Sequence, residues 1–399
     1  MKRLLAFVFG LAVFQVAAHA QVTVVKGFQK RLVAVNGFGG SALGARLAEI
    51  VANDVRLSGY LGLARADAAE FVQQGNVRSD GSVECFVTHV VTKKMVLSKA
   101  YPARGDTRRL AHEISDDMVK AITGQRGIAQ TKIACIVKRG RNKELAVMDY
   151  DGANARQFSN DGLCAHPRWS PDGTRILYTS YWRNYPDILE VNLLTGQRRV
   201  VAQFPGLNSG ADYSPDGQLV ALTLSKDGNP ELYTMNAGGG GLRRLTNTRG
   251  AESSPVWSPD GRQIAFVSDE RGSPQVYVIG RDGGEPDRLT VSPSYNTEPA
   301  WSRPPAGSDM RPMIAVTSRV GGKFQIGLVE TLAPGQGVRP VVADGADNED
   351  PSWAPNGRML VFTKTRNWRS RLYLLDVVTG EELELPALGE GASEPAWGP

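Results

Sequence analysis

Glu298, Asp350 and Glu394 each stand three residues ahead of a tryptophan, at Trp301, Trp353 and Trp397. His166, Gly210 and Ser254 hold the same offset from Trp169, Tyr213 and Trp257. Asn208, Ser209, Ser253, Asn296, Thr297 and Glu349 lie within two residues of these positions. Carboxylate, amide and hydroxyl oxygens gathered in this way suit two tasks. They are hard donors of the kind that hold calcium, and they can accept hydrogen bonds from the amides and cations of a protein partner. Catalysis is poorly served. A propeller-capped serine hydrolase needs Gly-x-Ser-x-Gly with a downstream histidine, and nothing after Trp397 supplies them. A metalloenzyme of the tunnel type needs several histidines, whereas only His89, His112 and His166 follow residue 20. No catalytic residue and no resident cofactor is therefore expected, and calcium at the mouth is the alternative to a protein partner.

What must position these residues is a repeat. Trp169-Ser-Pro-Asp-Gly recurs as Tyr213-Ser-Pro-Asp-Gly and Trp257-Ser-Pro-Asp-Gly, then in degraded form at Trp301, at Trp353-Ala-Pro-Asn-Gly and at Trp397-Gly-Pro. The intervals are 44, 44, 44, 52 and 44 residues, the length of one four-stranded propeller blade. Within a period, Gln263–Val267 alternates as a strand, Gln275–Ile279 follows a polar loop, and Asp282-Gly283-Gly284 turns into a fourth strand near Arg288. Trp397 opens a sixth unit with only its first strand. The missing strands are found at Lys132–Val137, Glu144–Met148 and near Gln157. Residues 131–399 are therefore predicted to form a six-bladed β-propeller with one blade shared between its ends, which removes two unpaired sheet edges. The tryptophans pack between blades, the Asp and Gly of the turns are structural, and the six offset positions ring the tunnel mouth where connecting loops bind partners.

Residues 1–20 read as a cleaved signal peptide: Lys2 and Arg3, an apolar run from Leu4 to Val16, then Ala18-His19-Ala20 before Gln21. The run is shorter than the roughly 20 residues a membrane span requires, so no direct membrane insertion is expected. The formal net charge of +5 sits unevenly, with 15 basic and 10 acidic residues over 21–130 and 29 and 31 over 131–399. That surplus is too small for a nucleic-acid footprint. Cys85, Cys135 and Cys164 make an odd count. Either one pair forms, Cys135 with Cys164, or all three are buried thiols.

Residues 21–128 have no 44-residue period and read as a small α/β domain. Strands are predicted at Val22–Val25, Leu32–Val35 and Tyr60–Leu63. Ser41 caps a helix over 42–57, and Asp67-x-x-Glu70 starts a second helix as a capping box. Strands follow at Val83–Val91 and Met95–Tyr101, and a third helix runs over 107–122 to Gly124. The whole is an α+β two-domain chain.

A signal peptide, a small α/β domain and WSPDG-repeat blades in this order resemble the TolB-like family, periplasmic propeller proteins of the Tol-Pal system. Ile50–Gly59 is similar to the family's first-helix segment, Asp116–Gly124 to the helix leading into the propeller, and Pro395–Pro399 to its ending. The stretch between Gly75 and Asp80 is shorter than in the family, and Gln21–Lys26 matches its TolA-contacting segment only loosely. The resemblance implies a monomeric, non-enzymatic periplasmic scaffold that serves outer-membrane integrity and cell division. It also implies a propeller that binds Pal, the peptidoglycan-associated lipoprotein, and an N-terminal region that communicates with TolA. Asn296-Thr297-Glu298-Pro299 matches the family's Pal-binding loop. The implied partner-binding set is Asn208, Ser209, Ser253, Ser254, Asn296, Thr297, Glu298, Glu349, Asp350 and Glu394. Because the chain enters the propeller at a second strand, the N-terminal domain should lie on the Pro-Asp-Gly side, away from this rim.

Overall fold

The computed structural model describes residues 29–399, apart from 40, 104, 305–310, 332–334 and 387–388. The expected signal peptide and the strand expected at Val22–Val25 lie outside the described residues.

The N-terminal domain is a five-stranded sheet carrying two helices. Its elements are β1 (Arg31–Val35), α1 (Ala42–Leu57), β2 (Leu61–Leu63), β3 (Phe71–Val77), β4 (Val83–His89), β5 (Met95–Tyr101) and α2 (Thr107–Thr123). The sheet order is β2-β1-β3-β4-β5, with β1 parallel to both neighbours and β3, β4 and β5 antiparallel. Ser41 caps α1 by accepting the Gly44 N–H at 3.0 Å. Asp106 caps α2, and Gly124 ends it in the left-handed conformation that glycine tolerates. Leu47, Val51, Ile114 and Met118 bury the helices' shared apolar face against Val33, Val83, Cys85 and Val87 of the sheet.

The helix expected from Asp67 does not form; the chain turns briefly and becomes β3. The Glu70 N–H donates to Leu32 O at 2.9 Å, its carbonyl accepts from Val90 N at 2.8 Å, and its carboxylate pairs with Arg31. A capping box is one local device, whereas β3 gains a seven-residue ladder with β4 and a three-residue ladder with β1. The tertiary pairing prevails.

Six four-stranded sheets then close the propeller. Their innermost strands are Cys164–Trp169, Asn208–Tyr213, Glu252–Trp257, Asn296–Trp301, Asp347–Trp353 and Ala392–Trp397, which number blades one to six. Blade six pairs Ala392–Trp397 with Lys132–Arg139, then Asn142–Asp149 and Arg156–Gln157, with Trp397 opposite Ile133. The shared blade is thus present as the repeat requires. Each complete Ser-Pro-Asp-Gly turn is locked by its own side chains. Ser170 Oγ donates to Asp172 Oδ1 at 2.6 Å, which accepts the Thr174 N–H at 3.0 Å, and Gly173 supplies the positive φ. That hydroxyl holds the Asp172 carboxyl down at about 2. The indoles of Trp169, Trp257 and Trp353 each donate to a carbonyl of the preceding blade, at Ala396, Asp212 and Ala300. All three cysteines are free and buried, and burial pushes each thiol up to about 12. Among the described residues no helix is long and apolar enough to cross a membrane.

The N-terminal domain sits on the Pro-Asp-Gly side of the propeller. Tyr60 lies under the buried Arg358 guanidinium, 4.8 Å from the ring centre, just after the Asn356-Gly357 turn of blade five. Asn53 and Arg108 reach Asp151, in the turn after the third strand of blade six.

Candidate functional site

All six offset positions adopt positive φ: His166 51°, Gly210 60°, Ser254 53°, Glu298 53°, Asp350 55° and Glu394 50°. At each, the register between the innermost and second strands shifts, so the residue forms a β-bulge. The cause is legible locally. Proline follows at 167, 255, 299, 351 and 395, and proline cannot donate to a central ladder, which confines it to a bulge or an edge. Blade two has Gly210-Ala211 instead and uses glycine's freedom. Five non-glycine residues held left-handed around one ring cost conformational energy that the surrounding sheets must offset.

The bulges are chained blade to blade. Glu298 Oε2 accepts from Thr317 Oγ1 in its own blade and from the Asp350 N–H of the next, at 2.9 Å. Asp350 Oδ2 accepts from Thr363 Oγ1 at 3.1 Å, and that hydroxyl oxygen accepts the Glu394 N–H at 3.0 Å. Glu394 Oε2 accepts the His166 N–H at 2.8 Å, passing the chain through the shared blade into blade one. The acidic arc therefore also caps bulges.

Electrostatics sharpen the arc. Asp350 is partly accessible from the tunnel yet enclosed by protein. Burial first, then the carboxylates of Glu298, Glu394 and Glu349, pushes its carboxyl well above the ordinary range. Glu349 is pushed up to about 7 by burial and by Glu298 and Asp347. Carboxylates crowded at one mouth would welcome a partner's donors or cations, or a hard cation.

Not every expected residue serves the mouth. Asn208 is 1% exposed and Asn296 0%. Asn208 donates to the carbonyls of Pro186, Phe204 and Gly206, and Asn296 to Gln275 Oε1 and Pro293 O, so both amides are spent inside their loops. Ser209, Ser253, Ser254, Thr297, Glu298, Glu349, Asp350 and Glu394 remain partly accessible, and His166 is exposed.

Two features escape a sequence reading built on the offset. The opposite end of the tunnel is a cavity of about 340 Å³ lined by Arg126, Arg168, Arg303, the buried Asp212 and the tryptophans at 169, 301, 353 and 397. Arg168 and Asp212 directly precede Trp169 and Tyr213, and that adjacency was the available signal. Between the domains, the buried Asp54 accepts from Tyr150 Oη at 2.8 Å and pairs with His112 Nδ1 at 2.8 Å, while Arg108 binds Asp149 and Asp151. Asp54, His112 and Asp151 converge closely enough to offer ligands to one ion, but Arg108 already supplies the cation there. No repeat marks these residues.

Comparison with known proteins fits this architecture. The TolB beta propeller domain family matches residues 119–399. Tol-Pal system proteins TolB from Methylococcus capsulatus and Legionella pneumophila are 35% and 33% identical over 240 and 202 residues, covering 52% and 44% of this chain. Those matches span about half the length of these curated relatives, 56% and 48%. The crystal structure of TolB from Acinetobacter baumannii superposes with a TM-score of 0.82 at 27% identity, covering 93% of this chain and 97% of that one. A putative TolB from Agrobacterium tumefaciens shares the fold at 22% identity and a TM-score of 0.50, covering 68% of this chain and 99% of that one. With the family matching more than half the chain and the six bulged blades in place, this protein belongs to the TolB β-propeller family.

Proposed function

We propose that the protein is a periplasmic, non-enzymatic scaffold of the Tol-Pal envelope system that binds a peptidoglycan-associated lipoprotein across the acidic mouth and supports outer-membrane integrity and division. The observation that carries this reading is the arc Glu298–Asp350–Glu394, held by strained bulges on the face opposite the N-terminal domain. A rigid mouth with crowded carboxylates is complementary to a folded partner presenting donors or cations, and its rigidity limits the entropy lost on docking. Ser209, Ser253, Ser254, Thr297 and Glu349 would flank the contact, with Asn208 and Asn296 shaping the loops beneath it. The N-terminal domain, on the far side, is free to face a second component, TolA. Chemistry on substrate has little to work with: His166 is exposed, and His89 and His112 lie in the N-terminal domain.

The test is capture from periplasmic extract with wild type, Glu298→Gln and Glu298→Arg. The same lipoprotein should be recovered by wild type and lost with Glu298→Arg. Equal recovery by both places the partner elsewhere. A calcium ion among Glu298, Asp350 and Glu394 is the second reading, favoured by the raised Asp350 carboxyl. Calcium titration by calorimetry, with Asp350→Asn as control, decides it.

A further inference from the structure

The joint between blades two and three holds two carboxyls where its neighbour holds two amides. Glu231, which opens the third strand of blade two, and Glu252, which opens the innermost strand of blade three, are both 0% exposed. Glu231 Oε1 accepts the Thr248 N–H at 2.9 Å and Arg244 Nη2 at 2.8 Å. Glu252 Oε1 accepts the hydroxyls of Thr248 and Ser268, both at 2.8 Å. Each side chain then has a buried Oε2 for which no other donor is found among the described residues.

The repeat shows what belongs between them. Forty-four residues further on, Gln275 and Asn296 occupy the same two places, also 0% exposed. There Asn296 Nδ2 donates to Gln275 Oε1 at 2.9 Å. Part of the surrounding framework coincides, and Thr246 acts on the Glu231 carboxyl where Thr290 Oγ1 donates to Gln275 Oε1. Leu232 N donates to Thr246 Oγ1 as Val276 N donates to Thr290 Oγ1, both at 2.9 Å, and Ser268 serves Glu252 as Ser318 serves Asn296. An amide can donate across the seam, whereas an ionised carboxylate can only accept.

We infer that Glu231 and Glu252 share one proton, and that this proton is the hydrogen bond closing the seam between blades two and three. The charged groups around the pair agree. Arg244 approaches from blade two and can balance one carboxylate. Asp227 acts on Arg244 from the preceding loop, and Asp269 of blade three is occupied with the Ala251 N–H. Among the described residues no ion pair reaches the second carboxylate, and leaving it ionised and buried is costly. Burial and the neighbouring Glu231 push the Glu252 carboxyl up to about 7, while Glu231 is held below the ordinary range. The seam lies directly beneath Ser253 and Ser254, so its state bears on the rim of blade three.

A carboxyl whose affinity for protons rises on folding stabilises the fold at low pH and loses that contribution as pH climbs through its folded value. Urea unfolding of the full chain should show the wild-type folding constant falling about tenfold or more between pH 5.5 and 8 from this pair. Other raised carboxyls add to the total, so the reading is the difference from Glu252→Gln, whose amide supplies the missing donor permanently. Glu231→Gln provides the same donor from the other side. Glu252→Gln should lose the tenfold component and exceed wild type at pH 8, while Glu231→Gln, which leaves Glu252 buried but without the neighbouring charge, should show a smaller one. An identical decline in wild type and in whichever variant folds overturns the shared proton. So does stabilisation of wild type at pH 8 by added calcium that Glu252→Gln lacks, which would assign the seam to a cation.

Discussion

Glu298 accepts the backbone N–H of Asp350 at 2.9 Å, so the residue proposed to meet a partner also fastens blade four to blade five. The left-handed bulge takes the Asp350 N–H out of the ladder, and it is shared between Glu298 Oε2 and Thr317 Oγ1, the latter at 3.1 Å. A charge reversal therefore tests two things at once, and the isosteric amide separates them.

Glu298→Gln keeps an oxygen for the Asp350 N–H and should change stability by less than ~1 kcal/mol, whereas Glu298→Arg removes the carboxylate to which both the Asp350 N–H and Thr317 Oγ1 donate, leaving the N–H only Thr317 Oγ1, and should cost about 1–3 kcal/mol. Thermal melts of the two variants beside their capture experiments report the two roles separately. A drop in capture with Glu298→Gln at unchanged melting would assign the contact to the charge itself.

The C-terminal strand is a structural closure. Trp397 is 7% exposed, its indole donates to Thr131 Oγ1 at 2.8 Å, and the Gly398 N–H bonds Lys132 O at 2.7 Å. Deleting residues 397–399 should cost at least the ~3–5 kcal/mol of losing a buried tryptophan. Denaturant unfolding measures it, and limited proteolysis should then cut the exposed 132–157 hairpins first. A melting temperature unchanged by the deletion would contradict a closed ring.

The domain seam should loosen as pH rises. Burial pulls the His112 imidazole down, but the Asp54 carboxylate outweighs it and leaves the group above its ordinary value. A histidine raised in this way contributes stability below its unfolded value and loses it as pH climbs through the folded one. Hydrogen exchange at the 124–131 linker should accelerate above neutral pH. In Asp54→Asn the acceleration should be smaller, from a faster starting rate. Equal pH response in both proteins would remove the His112–Asp54 pair as its source.

Trp368 is 98% exposed at φ 64°, beside Asn367 at φ 51°, in the two-residue hairpin between Arg366 and Arg369 of blade five. Such turns favour Asn-Gly. Trp368→Gly should therefore leave stability unchanged or raise it by about 0.5–1 kcal/mol. Because this hairpin borders the groove that reaches Glu349, weaker lipoprotein capture by Trp368→Gly at undiminished stability would extend the proposed contact from the mouth to the hairpin between the second and third strands of blade five.

Much of this was legible in the residues alone. A period of 44 with turn residues at fixed offsets specifies a blade, because each Ser-Pro-Asp-Gly turn is closed by its own side chains and needs no distant partner. The sixth, shared blade followed from counting strands at both ends, and the caps at Ser41 and Gly124 are equally local. Tertiary structure decided the rest. Glu70 joins a sheet because strands distant in sequence offer it two edges, which a local capping signal cannot reveal. Asn208 and Asn296 turn inward because their loops need amide donors, while Glu298 and Asp350 stay at the mouth because bulges hold them there. The meeting of Asp54 with His112, and of Glu231 with Glu252, depends on which elements pack together. Sequence spacing places side chains along a strand; only packing sets how far each is desolvated and which charge it faces.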